Sequence, residues 1–157
     1  MNFLNFFTKN YSTLYVSRPL INHGDVHAWA ISQGFKTTSS DMHTTIAYSQ
    51  IPVKWSKFTP ETNTLRIPAT GARIEQFGEA FVLTFVSPEL QNRWGQFINK
   101  GCHWDHPSYH PHVTISYHQP SQDINNMKPF NGLLIFGPEK FAPLNMSWKD
   151  KAKNSEY

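Results

Sequence analysis

The sequence contains only one cysteine, Cys102, among its 157 residues. A single cysteine excludes a framework of internal disulfide bonds and is typical of proteins from a reducing compartment. No apolar run approaches the roughly 20 residues that a membrane-spanning helix requires. The apolar start at Met1–Phe7 is shorter than the core of a secretory signal, and no basic residue precedes it. These absences predict a cytoplasmic protein with no membrane partner.

Charged residues are also sparse, at 16% of the chain, and the formal net charge is +3. This balance fits a small anionic partner, whereas binding along a long nucleic acid requires denser basic patches. The sequence has no Gly-rich phosphate-binding loop, so nothing in it supports an ATP-driven enzyme. Aromatic residues, in contrast, make up 15% of the chain and allow a sizeable core. We therefore expect residues 1–157 to form a single domain.

Two segments are near copies of each other: HTTIAY, which begins at residue 43, and HVTISY, which begins at residue 112. Both are typical of strands, in which every second side chain lies on the same face. His43 and Thr45 are therefore expected on one face of the first strand, and His112 and Thr114 on one face of the second. Small residues complete these faces and leave room for a ligand. The tyrosine that ends each copy is expected on the opposite face.

Strand and helix signals recur in the two halves of the chain. The first half has a predicted strand at Leu14–Ser17 and a helix over Gly24–Gly34. The second has a predicted hairpin of Arg73–Phe77 and Ala80–Val86, then a helix that starts at Ser87-Pro88-Glu89. In each half the histidine motif lies on the strand that follows the helix. The pattern predicts an α+β protein of two related lobes around a central cleft.

Loops are expected where proline and polar residues accumulate. Ile51–Pro68 holds Pro52, Pro60 and Pro68 and is predicted to be a long surface loop. A second loop is expected at His103–Pro111, and a further strand at Gly132–Phe136. The polar tail, residues 149–157, is expected to fray.

Two facing histidines and two threonines are suited to acid–base chemistry on a phosphate. Because histidine titrates near neutral pH, one imidazole can remove a proton while the other supplies one to a leaving group. The hydroxyls of Thr45 and Thr114 can donate hydrogen bonds to anionic oxygens. A single His-x-Thr sequence often arises by chance. Two copies in matching positions of the two halves strongly indicate a catalytic pair. We predict cleavage of a phosphodiester without a cofactor, and which histidine is the base stays open.

A zinc site is the alternative for the segment Cys102–His112, which is rich in metal-binding residue types. No pair in the segment has a recognised metal spacing with partners elsewhere, and the strand motif already accounts for His112. We therefore predict no metal site. His103, His106 and His110 are expected to form a polar loop at the mouth of the cleft.

The paired motifs resemble those of the 2H phosphoesterases, two-lobed proteins with one H-x-[ST] motif in each lobe. The length, the Tyr-rich start, both motifs and FGPEKFAPLNMSW at Phe136–Trp148 resemble, within that group, the anti-CBASS phosphodiesterases of phages. The resemblance implies a LigT-like fold of antiparallel sheets with helices packed outside. It further implies metal-independent hydrolysis of cyclic di- or trinucleotide messengers such as cGAMP, which would blunt immunity in the cytoplasm of an infected bacterium.

The resemblance also implies roles for individual residues. It makes the histidine and threonine of each motif catalytic, and it places substrate contacts at Tyr11 and Trp148. An acidic residue that reads the base is expected a few residues before that tryptophan. Ala142 stands near its place, and Glu139 is the neighbouring candidate. Tyr109, an aromatic residue in a predicted loop, is a further candidate because aromatic rings stack on bases.

Two other functions stay open at this stage. A member of the same group that processes RNA ends or 2′,3′-cyclic phosphates would carry the same motifs. A protein that sequesters a nucleotide without cutting it would need no pair of proton-transfer groups, so the motifs favour an enzyme. The sequence does not set the base preference, the ring size of the substrate or the oligomeric state.

Overall fold

The computed structural model describes residues 11–145, 152–153 and 155–156. Its main helices are α1 (His23–Gln33) and α2 (Pro88–Asn99). Its strands are β1 (Tyr11–Pro19), β2 (His43–Lys54), β3 (Leu65–Pro68), β4 (Arg73–Phe77), β5 (Ala80–Thr84), β6 (His112–Ser116), β7 (Leu133–Phe136) and β8 (Lys140–Ala142). No helix in these described parts of the chain has the length and apolar character needed to cross a membrane.

The described strands form antiparallel sheets with the orders β2-β1-β8, β3-β7 and β4-β5-β6. The motif strands β2 and β6 are edge strands of two different sheets, and they contact each other where those sheets meet. Each helix contacts the motif strand of the other half, α1 with β6 and α2 with β2. One cluster of buried apolar residues extends through both halves. The expected α+β fold with two lobes is confirmed.

The helix ends follow from local chemistry. Helix α2 starts as predicted, because the Ser87 hydroxyl accepts a hydrogen bond from the backbone N–H of Leu90 at 3.1 Å and Pro88 is the first helical residue. Helix α1 ends at Gln33 and is capped by Gly34, which has a φ of +111°. A side chain at Gly34 would be strained, and its Cβ would come within 2.9 Å of the Ser121 hydroxyl.

The prediction of a long loop over Ile51–Pro68 is wrong at both ends of that range. Strand β2 continues to Lys54, which pairs with the first residue of β1, and Leu65–Pro68 forms β3 against β7. Proline is tolerated here because β2 lies at a sheet edge and Pro68 ends its strand. Strand β1 is also longer than predicted, since pairing with β2 extends it to Tyr11–Pro19.

Candidate active site

The structure brings the histidine and threonine of both motifs together in one cavity. The cavity has a volume of about 350 Å³ and lies at the junction of β2 and β6. His43 and Thr45 line it from β2, and His112 and Thr114 line it from β6. All four are partly buried, whereas the residue between each histidine and threonine is fully buried. The cleft is therefore built from one polar strand face of each half.

Each motif strand carries a β-bulge directly after its threonine. The pairing of β2 with β1 skips Ile46, and the pairing of β6 with β5 skips Ile115. An extra residue reverses the alternation of faces beyond it. Tyr48 and Tyr117 therefore line the cavity beside the histidines. The prediction that both tyrosines lie on the opposite face was wrong, because it assumed unbroken alternation.

Both imidazoles are held by the same local hydrogen bond. Nδ1 of His43 lies 2.8 Å from the carbonyl oxygen of Asp41, and Nδ1 of His112 lies 2.8 Å from that of His110. Because a carbonyl only accepts, Nδ1 carries the proton in both rings. Nε2 is then the atom at which either neutral ring takes up a proton, or releases one once charged.

Tyr15 is a site residue that the sequence analysis missed. Its hydroxyl lies 2.7 Å from Nε2 of His43 and 2.9 Å from the Thr45 hydroxyl, so it links the two motif residues of β2. Burial raises the pKa of Tyr15 to about 12, which keeps the hydroxyl protonated at neutral pH. The hydroxyl can donate to neutral His43, or accept from charged His43 and donate to Thr45. Only the pairing of β1 with β2 reveals this link.

Tyr15→Phe is expected to lower kcat by about tenfold with little change in KM, since one lost hydrogen bond of this kind has roughly that effect. The substitution keeps the edge-to-face ring contact with His43 but removes the atom that orients its Nε2. Initial rates with a cyclic dinucleotide, the substrate class expected from the sequence, measure the effect. Tyr48→Phe, which removes another hydroxyl from the same cavity, is the matched control. Equal losses in the two variants would contradict a specific role for Tyr15.

The two histidines differ in their electrostatic surroundings. Burial lowers the pKa of His112 from its usual 6.5, and the positive charges of His43, His110 and His106 act in the same direction. The hydrogen bond to the carbonyl oxygen of His110 opposes this shift. His43, in contrast, has a carboxylate neighbour, with Asp41 Oδ2 3.8 Å from its Nδ1. The lowered pKa keeps His112 mostly neutral at pH 7.

In an NMR pH titration, His112 is expected to take up its proton below pH 6.5. Because the folded protein resists this protonation, the free energy of unfolding should fall as the pH drops from the unfolded-state pKa of about 6.5 towards the lower folded-state pKa. His112→Gln should remove that part of the pH dependence. A His112 midpoint at or above 6.5 would contradict burial as the dominant effect.

Tyr109 is buried behind the site and contacts its backbone. The structure therefore gives no support to the expected contact of Tyr109 with substrate. The side chain is 4% exposed, and its hydroxyl donates to the carbonyl oxygen of Thr45 at 2.7 Å. Its ring stacks on Trp94, with centroids 5.6 Å apart and an interplanar angle of 12°. Burial also raises the pKa of Tyr109, so the hydroxyl remains a donor. Tyr109 holds β2 in place from the side away from the cavity.

Glu139 also faces away from the cavity. Its carboxylate is fully buried and accepts hydrogen bonds from Nε and Nη2 of Arg93, each at 2.8 Å, and from the backbone N–H of Glu61 at 2.9 Å. With its oxygens bonded inside the protein, Glu139 is not placed to read a base, which corrects the sequence expectation. Ala142, three residues further on, does line the cleft.

The remaining predicted substrate contacts lie at the edges of the described structure. Tyr11 is the first residue of β1, pairs with Lys54 and is 51% exposed. It does not line the cavity that holds the motifs, and its contact with substrate stays a prediction. Trp148 lies outside the described residues.

Glu156, in the tail expected to fray, accepts hydrogen bonds from the backbone N–H of Tyr117 at 3.2 Å.

The loop between α2 and β6 borders the mouth of the cavity, as Trp104, Asp105 and His106 line it. His103 instead pairs with Asp105 at 3.2 Å, and His110 contacts the Ser108 hydroxyl at 2.8 Å. Across the residues that the structure describes, no three His, Cys, Asp or Glu side chains are grouped so that they could hold a metal ion.

Comparisons with known proteins agree on one family. Residues 12–151 match the family model described as Anti-CBASS protein Acb1. Proteins of that description are 42% identical over 146 residues in Caulobacter sp. (strain RHG1) and 41% identical over 147 residues in Sphingomonas paeninsulae. These matches cover 87% of this chain but 23% and 24% of the two relatives, so the chain spans about a quarter of their length. A relative from Acinetobacter phage Ac42 is 27% identical over 112 residues, 69% of this chain and 72% of that protein.

Solved structures share the fold at low sequence identity. Escherichia coli LigT complexed with 3′-AMP matches with a TM-score of 0.51 and 15% identity, over 86% of this chain and 96% of that one. A second structure, described as a phosphoesterase, matches with a TM-score of 0.52 and 16% identity over the same shares. The chain therefore belongs to the anti-CBASS protein Acb1 family and has the fold of LigT.

Proposed function

We propose that this chain is a metal-independent phosphodiesterase that hydrolyses 3′–5′ linkages in cyclic di- and trinucleotide messengers and so counters CBASS immunity in the bacterial cytoplasm. The observation that carries the proposal is the shared cavity, in which two imidazoles and two hydroxyls from opposite halves converge. Membership of the anti-CBASS family and the LigT fold support the same chemistry. A sequestering protein would need no such pair of proton-transfer groups.

The residues of the cavity can perform this reaction as an acid–base pair. Nε2 of one imidazole removes the proton of a ribose 2′-hydroxyl, whose oxygen attacks the neighbouring phosphorus. The other imidazole, charged, protonates the 5′-oxygen that leaves. Thr45 and Thr114 donate hydrogen bonds to the non-bridging oxygens, where negative charge increases. The first product is an opened chain with a 2′,3′-cyclic phosphate, which water then hydrolyses.

Incubation with 3′,3′-cyclic dinucleotides, cyclic trinucleotides and RNA ending in a 2′,3′-cyclic phosphate, each with EDTA, tests the proposal by mass spectrometry. Linearised cyclic nucleotides in EDTA are the expected products. Turnover of the RNA alone would favour the RNA-processing alternative, and recovery of bound, intact cyclic nucleotide would favour sequestration. Loss of activity on adding EDTA would overturn the metal-independent mechanism.

A further inference from the structure

The cavity that holds the motifs is one part of a longer cleft. A second cavity of about 410 Å³ adjoins it, and five side chains line both: Tyr15, His43, Tyr48, Thr114 and Tyr117. We name the first cavity the Trp104 chamber, after the loop residue that borders it, and the second the β8 chamber, since Lys140 and Ala142 of β8 line it. His43 and Thr114 thus lie at the junction of the two chambers, and Thr45 and His112 line the Trp104 chamber beside it.

We propose that the Trp104 chamber binds one nucleobase of a cyclic dinucleotide while the other base lies in the β8 chamber; this inference rests on the proposed function. A phosphodiester joins two nucleosides, so a scissile phosphate held at the junction places one nucleoside on each side. Volumes of about 350 and 410 Å³ are each within the range of small-molecule sites. The two-sided shape of the cleft therefore matches the two-sided shape of the substrate.

Trp104 is already held in position for stacking. Its indole N–H donates to the carbonyl oxygen of Ser108 at 3.0 Å. Its ring packs edge-to-face against Trp94 and at a steep angle against Tyr109, with centroids 6.1 and 5.6 Å away. The side chain is only partly buried, so part of it stays accessible in the chamber. A ring that is already fixed loses little conformational freedom when a base stacks on it.

Asp105 and His106 supply polar atoms at the mouth of the Trp104 chamber, and both are exposed. The Asp105 carboxylate accepts a hydrogen bond from the Gln50 amide at 3.2 Å and lies 3.2 Å from Nδ1 of His103. Its position is therefore set by two neighbours. Because a carboxylate only accepts hydrogen bonds, Asp105 favours a base with an exocyclic amino group, as adenine, guanine and cytosine have.

Trp104→Ala tests the proposal with two substrates, an intact cyclic dinucleotide and one in which a ribose lacks its base. In the wild-type protein, base removal is expected to raise KM about ten- to a hundredfold. In Trp104→Ala it should have little further effect, because the stacking partner is already absent. In Trp104→Phe, removal of the base should again raise KM by most of the wild-type factor, because the phenyl ring can still stack on the base. An equal effect of base removal in wild type and Trp104→Ala would overturn the inference, whereas wild type that cuts neither compound would overturn the proposed function.

A fluorescence measurement covers the case in which Trp104→Ala does not fold. Binding of a phosphorothioate cyclic dinucleotide, which resists cleavage, should quench wild-type tryptophan emission. Part of that quenching should be missing in Trp104→Phe, which keeps an aromatic ring in the same packing. Trp29→Phe should show the full wild-type quenching, because Trp29 packs on Phe130 and lines neither chamber. Equal quenching in wild type and Trp104→Phe would overturn the inference.

Discussion

His43→Ala and His112→Ala are each expected to lower kcat for a cyclic dinucleotide by about 10²- to 10⁴-fold while most of the binding affinity remains. General acid or base catalysis by one positioned group contributes an effect of about this size. Each imidazole is held through Nδ1, so its removal deletes a proton-transfer atom at Nε2 and leaves the strand backbone unchanged. Single-turnover rates and equilibrium binding of a non-cleavable analogue measure the two quantities separately.

His23→Ala is the matched control for both histidine variants. His23 is an exposed residue at the start of α1 and does not line either chamber. Its removal should leave the rate at the wild-type value. A wild-type rate in His43→Ala or His112→Ala would remove that histidine from the catalytic role.

Glu139→Gln is expected to lower the free energy of unfolding by about 3 kcal/mol, because a buried ion pair that loses one partner leaves an unpaired charge inside the protein. Arg93, whose side chain is 12% exposed, would keep its hydrogen bonds to Gln96 and to the carbonyl oxygen of Thr59, but its nearest carboxylate would be Glu61 at 3.6 Å. Urea unfolding monitored by circular dichroism measures the change. Base preference should stay the same, since the carboxylate lies away from both chambers.

Glu79→Gln is the comparison for this variant. Glu79 is 59% exposed and pairs with Lys153 at 3.6 Å, so its removal should change stability by less than about 1 kcal/mol. An altered base preference in Glu139→Gln, with unchanged stability, would restore the base-reading role expected from the sequence.

The sequence predicted the parts of the site that depend on local pattern. A repeated motif, a two-residue strand period and a serine–proline helix start are all visible within a few residues. They were sufficient to predict the α+β fold and to select the four side chains that share a cavity. Tyr15 escaped detection because its contact with His43 joins residues 28 positions apart, through the pairing of β1 with β2.

By itself, the amino-acid order determined which groups of this protein can transfer protons and which strand faces carry them, because those properties depend on neighbours in the chain. Only the tertiary structure decided which other side chains accompany them. The bulges at Ile46 and Ile115 turned two tyrosines into the cleft, and a bulge exists only relative to the paired strand. Likewise Glu139 became a structural residue through Arg93, 46 positions away, since a carboxylate satisfied inside the fold is no longer available to a ligand.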